Sequence, residues 1–176
     1  ESLSYEHNGE LYSFAGTNDV TYDGRAIAAS LSRNIRVYGV EDTANWWGCS
    51  LVIQGHAYIE RVELRYCGKR GESGFGTGFP AVLVDGRGPG TLSGYIRDSV
   101  LRESYSDVFV SRGQVNVRNS LEFEATGNVV FAALGGTGYS LQAPLSVFSR
   151  NAAVSVYQDQ AGGGGIAFDS HNFPID

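Results

Sequence analysis

Six carboxylates in the middle of the chain, Asp85, Asp98, Glu103, Asp107, Glu122 and Glu124, stand near Arg97 and Arg118. Paired acids at a set separation hydrolyse glycosides, and an acid held by calcium beside a basic group performs lyase chemistry. Glu122 and Glu124 share one side of a strand by alternation, at a spacing that could chelate a metal. When the chain's internal echoes are laid over one another, however, no two carboxylates take equivalent positions in neighbouring repeats. The acids therefore read as solvated turn and face residues, and no catalytic residue is assigned. His7, His56 and His171 are far apart, and Cys49 and Cys67 have no histidine pair at ligand spacing, so no metal or other cofactor is expected. The two cysteines read equally as a disulfide or as two buried free thiols, with an oxidising compartment favouring the bond.

Other motifs carry less. The "GGTG" (135–138) and "AGGGG" (161–165) runs lack the Lys-Ser/Thr and the helix of a phosphate-cradling loop, and read as turns. Adjacent Trp46 and Trp47 lie in a polar loop, where they offer a flat platform for a sugar ring or a partner; Tyr105 is a further candidate for such a surface. The plainer reading is that one tryptophan caps the core and the other covers a seam. There is no Asn-x-Ser/Thr sequon.

The elements that must position these residues are strands. The 176 residues include 24 Gly, 19 Tyr plus Phe and no Met, a mix that favours short strands joined by tight turns. A net charge of −6 argues against nucleic acid as a partner, and no apolar run approaches a membrane span. The polar, acidic opening is no signal peptide and reads like mid-pattern strand, as expected of a piece of a longer protein. Internal echoes set the architecture. "YIRDSV" (95–100) returns as "NVRNSL" (116–121), so Ile96 is matched with Val117 and Arg97 with Arg118. Ile59 and Leu141 take the same rung in a looser "AYIERV" and "YSLQAP". A second strand family places Asp85, Asp107, Asn128 and Asn151 near strand ends, as turn positions whose short side chains bond their own backbone. A repeat of 21–24 residues with two or more strands fits one coil of a parallel β-helix; a β-sandwich is the rival.

Several words resemble the region that follows G8 domains in fibrocystin, the fibrocystin-like surface proteins and the hyaluronan-processing G8 proteins. "DGRAIAASLSRNIRVYG" (23–39) is similar to the family's junction, and "AYIERVELRYCGKRG" and "GYIRDSVLRESYSDVFVSRGQ" to its coils. The resemblance implies a right-handed parallel β-helix at the cell surface or in the matrix. The histidine-bearing strand of the hyaluronan-processing branch is replaced by "FPAVLVDG" (79–86), and Arg102 stands where the family's other histidine would follow "YIRDS".

The expectation is an all-β, right-handed parallel β-helix of about five to six coils: opening strands and a capping layer over 1–48, coils over 49–176. Its role would be a non-catalytic structural or adhesive extracellular module of a larger surface, matrix or filament protein. Its partners would be adjacent domains or a second copy at the solenoid ends. The alternative is a carbohydrate-active or carbohydrate-binding β-helix with a polysaccharide partner.

Overall fold

Short runs of β-branched and aromatic residues, each ending in a turn residue, form strands of three to six residues. The computed structural model describes residues 11–14, 20–23, 30–31, 33–41, 44–71, 74–88, 91–113, 121–156 and 164–168. The chain divides into two compact units, Glu1–Ser30 and Leu31–Asp176. In the first, β1 (Leu11–Phe14) pairs antiparallel with β2 (Val20–Asp23).

The second unit is all-β and built mainly from parallel sheets, with no helix among the described residues. It opens with β3 (Ile35–Tyr38) and β4 (Leu51–Ile53). Then come β5 (His56–Glu60), β6 (Val62–Arg65), an antiparallel hairpin of β7 (Lys69–Gly71) and β8 (Gly74–Phe79), and β9 (Val82–Asp85). Three strands follow in each later round: β10 (Ser93–Arg97), β11 (Val100–Arg102) and β12 (Phe109–Arg112); then β13 (Leu121–Thr126), β14 (Val129–Phe131) and β15 (Tyr139–Leu141); then β16 (Leu145–Ser149), β17 (Ala152–Val154) and β18 (Ile166–Phe168). The first sheet has the order β16-β13-β10-β5, the second β17-β14-β11-β6-β3, and the third β18-β15-β12-β9-β4. The chain thus visits the three sheets in the same sequence four times after its opening pair of strands. β3, inside the expected opening segment 1–48, is a full member of the second sheet.

Each sheet turns one face to the core, with side chains stacked in rungs. Ile59, Ile96, Ala125 and Phe148 are successive rungs of the first sheet. Val37, Leu64, Leu101, Val130 and Ala153 are those of the second, and Leu51, Val82, Phe109, Tyr139 and Ile166 those of the third. The middle members are buried in one hydrophobic cluster.

The ladder corrects the repeat expected from the echoed words. Ile59 is the partner of Ile96, but on the other side Ile96 meets Ala125, 29 residues on, and not Val117. Val117 and Arg118 lie outside the described residues. Leu141 sits in the third sheet, buried, with Ser111 and Phe168 as its partners. The structural counterpart of "YIRDSV" is "EATGNV" (124–129). Outward positions are free to change, so the two segments share little spelling even though they share a place.

What the two segments do share is a corner. Asp98 and Gly127 both have positive φ, as do Arg61 and Arg150 on the same rung of the rounds before and after. An L-residue pays roughly 1–2 kcal/mol for this backbone, which Gly127 avoids. The next residues stack. Asn128 Nδ2 donates to Asn151 Oδ1 (3.0 Å) and to Ile96 O (3.0 Å), Asn128 Oδ1 accepts from Ser99 N (3.1 Å), and Asn151 Nδ2 donates to Ala125 O (2.8 Å). Asn128 and Asn151 are therefore equivalent corner residues, but their side chains bond neighbouring rounds and not, as the sequence suggested, their own backbone. Asp85 and Asp107 belong to other corners: Asp85 closes β9, and Asp107 precedes β12 and accepts from Thr137 N at 2.7 Å. The Asn128→Ala variant removes the side-chain bonds to Ile96 O, Ser99 N and Asn151 Oδ1, the last of which keeps only the Asn128 backbone N–H (3.0 Å), and is expected to lose about 2–4 kcal/mol in urea denaturation. An unchanged midpoint would contradict the role given to this rung.

Candidate functional site

Among the described residues, the most extensive network of charged groups lies on the outward side of the second sheet. Alternation in "IRVY" (35–38), "VELR" (62–65) and "VLR" (100–102) sends Val37, Leu64 and Leu101 inward and leaves Arg36, Tyr38, Glu63, Arg65 and Arg102 outward. Glu63 is nevertheless 0% exposed, because its neighbours fold over it. Arg102 Nη2 and Nε donate to Glu63 Oε1 at 2.6 and 2.8 Å, and Tyr38 Oη donates to the same atom at 3.4 Å. Glu63 Oε2 has Arg36 Nε at 3.4 Å but no hydrogen-bond partner among the described residues. Arg102 Nη1 reaches on to Glu103 Oε1 (3.3 Å), whose other oxygen accepts from Arg65 Nε (2.7 Å), and Arg65 Nη2 donates to Tyr66 Oη (2.6 Å). Burial works to raise the Glu63 carboxyl, and the guanidinium groups of Arg102 and Arg36 outweigh it and hold it below the usual carboxylate range. A smaller pair repeats the theme at Asp85, which accepts from Arg87 Nε (2.7 Å), Arg87 Nη2 (3.1 Å) and Gln54 Nε2 (3.3 Å). The Arg87 bonds lower its carboxyl, against the effect of burial.

This cluster is a clamp. A general acid must touch the reacting atom, and Glu63 is sealed from solvent beneath two arginines. Sequence reasoning missed Glu63, Arg36 and Arg65, and treated Arg102 only as a replacement. The available signal was the common outward phase of the three strands, readable only once β3, β6 and β11 are known to be neighbours.

The other singled-out residues separate. Cys49 and Cys67 are joined in a disulfide, with Cα atoms 4.3 Å apart, and form a parallel bridge between neighbouring rounds. Tyr105 is 0% exposed, so it cannot belong to a ligand platform; its ring lies 5.6 Å from Trp46, edge to face, and stacks on Tyr66 at 6.1 Å. Trp46 is half-buried in that aromatic group, as a core cap would be. Trp47 is 58% exposed and bridges to Lys69, whose Nζ sits 3.9 Å from its ring centroid. Asp98 occupies a positive-φ corner, and Glu122 and Glu124 are exposed on the outer row of the first sheet.

That outer row also holds side chains the sequence reading passed over. Tyr58 and Tyr95 are partners on β5 and β10, with ring centroids 5.3 Å apart and edge to face. Arg97 lies 3.6 Å above the Tyr95 ring and 3.8 Å from Glu60. His56 Nδ1 and Ser93 Oγ are 2.5 Å apart. Tyr58 and Tyr95 are 37 residues apart, the same offset as Ile59 and Ile96, so the correct alignment of those two isoleucines already contained the pair. Among the described residues no group of three or more His, Cys, Asp or Glu side chains could hold a metal ion.

No family model, curated protein or solved structure matches the chain.

The clamp makes stability depend on acid. A carboxylate lowered in the folded state contributes fully above its ordinary value, about 4, and that contribution fades as pH falls through the lowered folded-state value. Urea midpoints are therefore expected to be flat from neutral pH down to about 4 and to fall below it. Glu63→Gln should lower the midpoint at neutral pH and flatten the acid limb. An unaltered acid limb in that variant would exclude Glu63 as a source of the acid sensitivity.

Proposed function

We propose that residues 31–176 wind as a right-handed parallel β-helix of about five to six coils, and that the chain is a non-catalytic structural or adhesive module. In this reading it is an extracellular segment of a larger surface, matrix or filament protein. The observation that carries it is the recurrence of three parallel sheets in the same sequence, round after round, around one apolar core. Such an architecture stacks repeats that cannot bury their inward faces alone.

Three further observations support the role. The two most buried carboxylates among the described residues, Glu63 and Asp85, are engaged by guanidinium groups, which suits a scaffold better than a reaction centre. The Cys49–Cys67 bond is in keeping with an oxidising compartment. The outermost strands carry exposed apolar residues, Val37 and Val52 at one end, and Val147, Val154 and Ile166 at the other. Adjacent domains or a second copy would cover these edges, which otherwise remain open to pairing. The likeness of "LSRNI" and "YIRDS" to the G8-associated region points to the same class.

The test is incubation of the purified chain with hyaluronan, pectin and chitin oligomers, with and without calcium. The expected outcome is no new chain ends on any of them. Cleavage that disappears in a Glu103→Gln or Glu124→Gln variant would overturn the non-catalytic reading.

A further inference from the structure

The outer row of the first sheet differs from the clamp in being open. Tyr58 is 69% exposed, the most exposed aromatic among the described residues. Tyr58, Tyr95, Glu124 and Val147 are successive partners across β5, β10, β13 and β16. At the spacing of neighbouring strands they form a column about 14 Å long. Two columns run beside it: His56, Ser93 and Glu122 on one flank, and Glu60, Arg97 and Thr126 on the other. The result is an aromatic strip edged by hydrogen-bonding groups. A hollow of about 530 Å³, lined by Arg33, Asn34, Ile35, Glu60 and Arg61, adjoins it and shares Glu60.

Charge selects what such a face can hold. On the sheet face itself the cation is Arg97, which lies over Tyr95 and near Glu60; in the adjoining hollow Arg61 pairs with Glu60 at 3.3 Å and Arg33 Nε donates to Asp98 O at 2.9 Å. Glu122 and Glu124 are exposed and have no ion pair among the described residues. With Glu60, Glu122 and Glu124 against Arg97, the outer row of the sheet carries surplus negative charge on a chain that is itself at −6. A polyanion is repelled, whereas a ligand rich in hydroxyl donors is matched by carboxylate acceptors. The open ring of Tyr58 supplies the flat apolar surface against which the C–H face of a sugar packs, and its phenol remains available to solvent and ligand.

We propose that this face binds a neutral polysaccharide, laid across the strands with a sugar ring on Tyr58 and its hydroxyl groups donating to Glu122 and Glu124. This adds an adhesive site to the scaffold and does not depend on its closure as a solenoid.

The experiment is retention of the full chain on insoluble cellulose, chitin, mannan and β-1,3-glucan, with polygalacturonate as the anionic comparison. At least one neutral polymer should retain the protein and polygalacturonate should not. Tyr58→Ala removes an exposed ring, so its unfolding midpoint should stay near that of the parent while retention weakens roughly tenfold. The double variant Glu122→Lys, Glu124→Lys should lose the neutral polymer and gain polygalacturonate. Failure on every neutral polymer, retention equal in Tyr58→Ala, or equal retention by polygalacturonate would each overturn the proposal. Cleavage in the preceding assay, by contrast, bears only on the non-catalytic reading.

Discussion

The structure depends on two residues per round whose backbone is forced into the left-handed region. One set is Arg61, Asp98, Gly127 and Arg150; the other is Tyr66, Glu103, Ala132 and Ser155. Only one of these eight is glycine, so seven carry a steric cost of roughly 1–2 kcal/mol each. The cost recurs at the same rungs because the chain must turn there while keeping its hydrogen bonds to the next round. Asp98 N donates to Thr126 O, Gly127 N to Ser149 O, Glu103 N to Phe131 O, and Ala132 N to Val154 O. In every round the second corner comes five residues after the first. The second-sheet strand is pinned between them, and all variation in repeat length falls elsewhere.

That arrangement explains where chemistry-bearing residues can sit. The pinned strand has an outward side in constant register, and the chain fills it with the Glu63–Arg102–Glu103–Arg65 network, which ties β6 to β11 from outside the core, while Tyr38 and Arg36 bring in β3. Removing one partner of a buried ion pair leaves an uncompensated charge and costs more than the intact pair gains, so the network acts chiefly to hold register. Length is free to vary after the second corner. There the chain inserts the β7–β8 hairpin, where Lys69 lies over Trp47. The disulfide joins Cys67, just before this insertion, to Cys49 of the preceding round.

Much of the architecture was legible. Glycine and aromatic content, short strands and interleaved strand families gave an all-β chain of parallel, repeating character, and Ile59 and Ile96 were matched correctly across 37 residues. The next rung was missed because the echo was sought as spelling. "NVRNSL" resembles "YIRDSV" in letters, but the ladder constrains only the inward side chain and the corner, so "EATGNV" fulfils the same role with one residue in common. The Glu63 clamp and the Tyr58–Tyr95 pair were hidden for a related reason. Outward side chains carry no periodic hydrophobic signal, and their neighbours emerge only when the register is right. Tyr105 misled in the opposite sense, since a tyrosine among serines reads as exposed and is instead core.

Register is the claim from which the clamp, the asparagine stack and the tyrosine face all follow, and engineered cysteines test it directly. Neighbouring positions on adjacent parallel strands lie within disulfide reach. Tyr95→Cys combined with Glu124→Cys, 29 residues apart, should form a cross-link under mild oxidation in the folded protein, detected by mass spectrometry of its peptides. Val100→Cys combined with Leu121→Cys, 21 residues apart as the echoed words suggest, should not, because Val100 lies in the second sheet and Leu121 in the first. Cross-linking of the second pair in preference to the first would contradict the account.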